Sequence, residues 1–328
     1  MPRFPVRRRV AWNAMWRELK RLVVLALGRV PVFLLVLGEA TVMYAATLVA
    51  KQAFTQLDPL YAVWYRVGFC TLLMLLWRRP WIASKRDRLP HDRSAWLVVV
   101  GCGLALAMMN TMYYVAISNM NVGVATAIEF IGPLSVAVIA GRSWRERVGI
   151  VVAAVGVIML AGMSLAQPSG GTFLIGLIAI LIGGSMWGAY IVLGRRVAAG
   201  GTPLDWLSLS MLIGWGVQSL FLAVPAVRAT VHPKAGATWA ARPGGGLALI
   251  GLLLVVAVCA SFLPYVVDQF IMRRTTSGAF SVMQSVNPAM ASIVGLVFGE
   301  IPTVWDVVGI LLVICAVIIT FSGDSHPA

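Results

Sequence analysis

Acidic side chains are scarce in this chain, with 12 Asp and Glu against 26 Lys and Arg. Histidine is scarcer, and His91, His232 and His326 all fall in polar connections or the tail. None sits in an apolar run where it could serve as a buried metal ligand or general base, which weighs against a membrane-embedded enzyme. Cys70, Cys102, Cys259 and Cys315 lie singly inside apolar runs. With no CxxC pair they indicate neither a zinc site nor a disulfide framework, and no cofactor is called for. Charge of either sign is thin, at 12% of residues.

What fills the chain is hydrocarbon. Sixty per cent of its 328 residues are hydrophobic (60%), and the mean hydropathy is +0.88. That composition makes lipid the solvent for most of the chain. The net charge of +14 would by itself suggest nucleic acid. The cations, however, sit in short connections between apolar runs, a pattern that orients a protein in a bilayer and argues for no nucleic acid. Residues 1–30 are basic, and Arg29 and Pro31 interrupt the apolar part that follows. With no small-residue cleavage site, this reads as a basic cytoplasmic N-terminal segment, in part an amphipathic helix on the inner leaflet, rather than a signal peptide.

A bilayer core takes about 20 apolar residues per helix. Ten runs qualify: 31–50, 59–77, 95–117, 122–141, 147–166, 173–193, 204–225, 247–271, 277–298 and 304–322. With the N-terminus placed in the cytoplasm, 21 of the 26 Lys and Arg fall inside, four (Lys51, Arg228, Lys234, Arg242) fall outside, and Arg66 lies within a span. The bias puts both termini in the cytoplasm. The fold class expected is an all-α polytopic membrane protein.

The chain also repeats itself. "GEATVMY" at 38–44 aligns with "GSMWGAY" at 184–190, and "ATAIEFIGPLSV" with "FSVMQSVNPAMA". The second match sets Glu129 over Gln284 and Pro133 over Pro288. Each half, 31–166 and 173–322, holds five runs, and a short tail, 323–328, follows. Five is odd, so the second half must enter from the opposite side. Ten transmembrane helices then form a 5+5 inverted-topology repeat, an architecture many secondary transporters use.

Ionisable groups inside apolar runs are costly and so mark function. The chain has four: Glu39, Arg66, Glu129 and Asp268. Glu39 and Arg66 could form a static ion pair, and Asp268 could pair at the interface with Arg273 and Arg274. Glu129 resists such readings because it is deep and four residues before Pro133. A proline withholds a donor from the carbonyl four residues earlier, so Pro133 and Pro288 should kink spans four and nine and free the carbonyls of Glu129 and Gln284. Broken backbone at membrane depth is tolerated only against protein or a water-filled cavity, so these two spans should line one. Glu129 could carry a proton as access alternates, or hold the ammonium of an amino acid. Tyr44, Asn110, Tyr113, Tyr190 and Tyr265, with Gln284 and Asn287 on span nine, add polar tips suited to a small polar solute. Trp187 and the Gly184/Gly188 pair read better as packing.

"AIEFIGPLSVAV", "SMWGAYIVLGRR" and "LPYVVD" followed by "VNPAMASIVGLVFGEIPTVWDVVGILLVICAVII" resemble the EamA type of the drug/metabolite transporter superfamily, and within it the inner-membrane threonine and homoserine exporters. The likeness runs over 31–322, with the Glu-x-x-Gly-Pro of span four its most specific element. It implies a central cavity lined by spans one to four and six to nine. It also implies efflux of small metabolites across a bacterial inner membrane, driven by proton exchange, from a monomer or homodimer. Of the family's functional residues it carries over Glu129 with its motif and, more weakly, Tyr190 and Asp268. The first half has Gly141-Arg142 where the second has Gly299-Glu300. Phosphate cargo would need several cavity cations and Arg66 is one, whereas export of cationic drugs fits Glu129 and the tyrosines and stays open.

Overall fold

The computed structural model describes residues 32–52, 57–80, 89–140, 170–199, 202–231, 245–274 and 286–321, with isolated positions between them. The N-terminal segment, most of the fifth run, the start of the ninth and the C-terminal tail lie outside the described residues. Among the described residues there are helices and no strand. In chain order they are α1 (Val32–Gln52), α2 (Pro59–Arg78), α3 (Arg93–Ile117), α4 (Val122–Glu129), α5 (Ile131–Ala140), α6 (Gly170–Ala199) and α7 (Pro203–Val231). Then follow α8 (Gly245–Ala257), a π turn (Val258–Phe262), α9 (Leu263–Met272), α10 (Val286–Val297) and α11 (Val304–Phe321).

Among the described residues six stretches are long and apolar enough to cross a membrane: Leu34–Lys51, Pro59–Arg78, Arg93–Ile117, Thr172–Ala199, Pro203–Val231 and Gly245–Met272. Helices this apolar on every side need a nonpolar surround. Leu97, Leu220, Phe221 and Leu247 on their outer faces are exposed, as lipid-facing side chains should be. The ends are set by polar caps. Asp58 accepts the Leu60 N–H at 2.9 Å with Pro59 at the first helical position, and Asp92 accepts the Ala95 N–H at 3.2 Å. Both devices satisfy donors that the first turn would otherwise leave bare.

Spans four and nine are interrupted. Span four splits at Phe130 into α4 and α5, and span nine turns at Gln284 before α10 begins. The breaks fall three and four residues ahead of Pro133 and Pro288, where the missing N–H first removes a bond from the ladder.

Helices from the two halves approach backbone to backbone where glycine permits it. A Cβ on Gly103 of α3 would stand 2.1 Å from the Ser210 carbonyl oxygen of α7, and one on Gly214 would stand 2.3 Å from that of Gly103. A Cβ on Gly132 of α5 would stand 1.8 Å from the Gly184 carbonyl oxygen of α6. Membrane helices gain little from the hydrophobic effect between them, so such close backbone contact is a main source of their association. At one end of the bundle, Arg78 of α2 grips the buried Asp205 of α7 through two bonds of 2.8 and 3.1 Å. This forked geometry fixes α2 to α7 more firmly than a single contact would.

Candidate functional site

Between the halves lies a cavity of about 80 Å³, lined from α1, α2, α3, α4, α6, the π turn, α9, Gln284 and α10. That is room for more than one water, since about 10–15 Å³ admits the first. All eleven residues singled out from the sequence stand on its wall: Glu39, Tyr44, Arg66, Asn110, Tyr113, Glu129, Tyr190, Tyr265, Asp268, Gln284 and Asn287.

The helices explain how distant residues converge. Glu39, Met43, Tyr44 and Thr47 share one stripe of α1, and Met109, Asn110 and Tyr113 one stripe of α3, as helical spacing requires. Met43, Thr47, Met109, Ala260 and Pro264 were missed in the sequence reading, and Trp187, read there as packing, also stands on the wall.

Arg66 is the one cation on the wall among the described residues. It does not form the ion pair with Glu39 that the sequence allowed. Its guanidinium donates to Asn110 Oδ1 and, at 3.3 Å, to the Ala260 carbonyl, and it lies 4.5 Å above the Tyr114 ring. The Ala260 carbonyl is available because Pro264, four residues on, brings no N–H, and the local backbone opens into a π turn. Asn110 passes the connection on, donating to the Tyr265 hydroxyl at 2.7 Å and to the Leu106 carbonyl at 2.7 Å. Tyr265 in turn meets Tyr190 edge to face, with ring centroids 6.1 Å apart.

Asp268 is buried among amides rather than paired at the interface. Gln284 Nε2 donates to it at 2.9 Å, and Asn287 Nδ2 donates to Gln284 Oε1 at 2.7 Å. Arg274 instead covers the Phe270 ring at 4.0 Å. The freed carbonyls also find other uses. That of Gln284 accepts the Asn287 N–H at 3.0 Å, and that of Glu129 faces Gly184, where a Cβ would come within 2.7 Å. The kinks thus shape the wall without presenting open carbonyls to the cavity.

Several polar groups on this wall lack partners among the described residues, the buried Tyr190 hydroxyl and Glu129 included. The Glu129 carboxyl has no hydrogen-bond partner among the described residues. It lies against Gly183, where a Cβ would be 3.5 Å from Oε1, and within electrostatic reach of Arg66. Glu39 also keeps one carboxyl oxygen, Oε2, without a partner. Three carboxyls against one guanidinium that is bonded to neutral groups give the cavity a surplus of acid. No cluster of metal-ligating side chains occurs among the described residues.

The EamA-like transporter family matches this chain twice, over residues 30–166 and 174–322. The chain belongs to that family. As an EamA-like protein with several spanning helices it is a multi-pass membrane protein, and its family marks it as a transporter rather than an enzyme. It is similar to the threonine/homoserine exporter RhtA of Salmonella typhimurium, 28% identical over 297 residues that cover 90% of this chain and 91% of the relative. RhtA of Escherichia coli K12 is 28% identical over 268 residues, covering 82% and 83%. An uncharacterized transporter of Bacillus subtilis, YyaM, is 22% identical over 307 residues, covering 89% and 93%. A crystal structure superimposes at a TM-score of 0.58 over 89% of this EamA-like chain and 96% of its own, with 14% identity, and so speaks for the fold alone.

Proposed function

We propose that this EamA-like protein exports small amino acids of the threonine and homoserine kind across a bacterial inner membrane, by alternating access and in exchange for protons. The observation that carries the reading is the cavity: Glu129, without a hydrogen-bond partner among the described residues, faces a chamber lined by polar tips between the two halves. RhtA, named for threonine and homoserine export, is similar over nine-tenths of the chain, which supports the cargo class. Ten spanning helices in two inverted five-helix halves, 31–166 and 173–322, with both termini cytoplasmic, complete the proposed architecture. The paired family match, the Glu129/Gln284 correspondence and the charge bias support it.

In this scheme the acid surplus reads the solute's ammonium, while Asn110, Tyr265 and the Gln284–Asn287 pair orient its remaining polar groups. Glu129 takes up a proton on one side and releases it on the other. The test is uptake of radiolabelled threonine and homoserine into proteoliposomes. An acidic lumen should drive solute inward as protons leave, and dissipating the gradient should return uptake to its basal level. Uptake indifferent to the gradient would remove the proton from the scheme. A second reading, export of organic cations, rests on the same acid surplus. Inhibition of threonine uptake by threonine amide, but not by the hydroxy acid lacking the ammonium, is the expected sign of ammonium recognition. Transport of larger cations without any of threonine would favour the second reading.

A further inference from the structure

One polar assembly lies outside the cavity wall and joins three separate parts of the chain. Lys51, at the end of α1, donates to Glu300 Oε1 at 2.5 Å and to the Met120 carbonyl at 2.9 Å. The other oxygen of Glu300 accepts the Val122 N–H, the first of α4, at 2.8 Å. A carboxylate at a helix N-terminus gains from both the bare N–H and the helix dipole.

The surrounding backbone holds Glu300 in place. Gly299 adopts a left-handed φ of +86°, closing α10 with bonds from the Glu300 N–H to the Gly295 carbonyl (2.9 Å) and from the Gly299 N–H to that of Leu296 (3.1 Å). That closure favours glycine and turns the next side chain back toward the helix it leaves. On the far side, Thr303 and Asp306 cap α11 reciprocally, at 2.9 and 3.2 Å. Glu300 therefore projects from a short connection fixed at both ends.

The assembly sits one turn beyond the cavity. Thr47 lines the chamber four residues before Lys51, and Tyr113, also on the wall, meets Thr126 at 3.2 Å, four residues after Val122. Below the assembly α4 closes tightly on α10, for a Cβ on Gly123 would stand 2.5 Å from Ser292 Oγ. The α4 segment is eight residues long and ends at the Phe130 break, which makes that break the place where a hinge would fall.

We propose that Lys51 and Glu300 form a latch that holds α4 closed over one mouth of the cavity, the outer mouth in the orientation proposed above, and that the latch must open for solute to leave. This rests on the alternating-access reading. It is one-sided by charge: the position that answers Glu300 in the first half is Arg142, so the sequence puts no acid there.

The experiment uses the full chain with Cys70, Cys102, Cys259 and Cys315 replaced by alanine and Thr47→Cys as the reporter. A membrane-impermeant thiol reagent is added to the outer face of intact cells. Glu300→Gln and Lys51→Met are each expected to speed labelling about tenfold, the population shift for roughly 1.4 kcal/mol lost from the closed state. The double variant should speed labelling by less than the product of the two single effects, because the Lys51–Glu300 contact is lost in both. Arg78→Met, at the other end of the bundle, should leave outer labelling unchanged. Unaltered labelling in folded Glu300→Gln and Lys51→Met protein, faster labelling from the cytoplasmic face alone, or loss of the folded species in both would each overturn the latch. No solute is involved, so failure of threonine transport would count against the cargo assignment and leave this result intact.

Discussion

Glu129→Gln is expected to abolish gradient-driven transport while leaving solute exchange in place. The substitution keeps the volume and one carbonyl oxygen of the side chain but removes the titratable group. Glu129 has no hydrogen-bond partner among the described residues, so the amide breaks no existing bond and the fold should stand. What goes is the linkage between proton and solute. Coupling between sites spans roughly 5–150-fold, so accumulation against a gradient should fall by about tenfold or more, to the level seen without one. The dependence of transport on pH should flatten at the same time. Glu129→Asp should restore part of the gradient response, since it returns a proton-carrying group at shorter reach. The measurement is proteoliposome uptake with and without an acidic lumen, beside counterflow of labelled against unlabelled threonine. Equal loss of uptake and counterflow would assign Glu129 to solute binding. No loss of either would make it structural.

The second large effect concerns folding. Gly184→Leu should prevent assembly of the two halves, because the first added carbon would stand 2.7 Å from the Glu129 carbonyl oxygen, an atom of backbone that cannot swing aside. Overpacking costs about 1–3 kcal/mol and more where backbone must move, which is a large share of the stability of any domain. Gly132→Val attacks the same crossing from α5. Gly38 is the control, for it aligns with Gly184 in the repeat, yet nothing lies within 4 Å of a Cβ built there. Gly38→Ala should be neutral or slightly stabilising, as alanine is favoured over glycine in a helix by about 1 kcal/mol. Melting temperature and the monodisperse fraction in detergent would check all three. A Gly184→Leu protein that melts as Gly38→Ala does would mean that the α5–α6 crossing is looser than these distances describe.

Much of the site could be read in the sequence because anomalies are visible there. Glu39, Arg66, Glu129 and Asp268 stand out in hydrocarbon whatever the fold, and Tyr44, Asn110 and Tyr113 stand out as polar tips in apolar runs. Thr47, Met43 and Met109 did not stand out, since small or apolar side chains look alike on a lipid face and on a cavity wall. The partners of the charged groups were hidden for another reason. Whether Arg66 meets Glu39 or Asn110 depends on the rotation of α2 against α3, which tertiary packing sets. The proline rule pointed to the right helices but does not say what their freed carbonyls meet. Freed from one ladder bond, the Gln284 carbonyl takes the Asn287 N–H and that of Ala260 takes Arg66, and only the packed chain decides between such partners.

The span of the bond between Arg66 and the Ala260 carbonyl has a consequence for biosynthesis. The two residues are 194 positions apart. A ribosome adding about 5–20 residues per second needs roughly 10–40 s to deliver the second after the first. Glu39 and Arg66 are already made when that interval opens and Glu129 is made within it, while Tyr265, Asp268 and Gln284 come only after it. The nascent first half must therefore wait with ionised or proton-bearing groups lacking their final neighbours, at the insertion machinery or in a thinned patch of bilayer. Cells that slow translation between the halves should lengthen that wait and expose the half-made protein to membrane proteases.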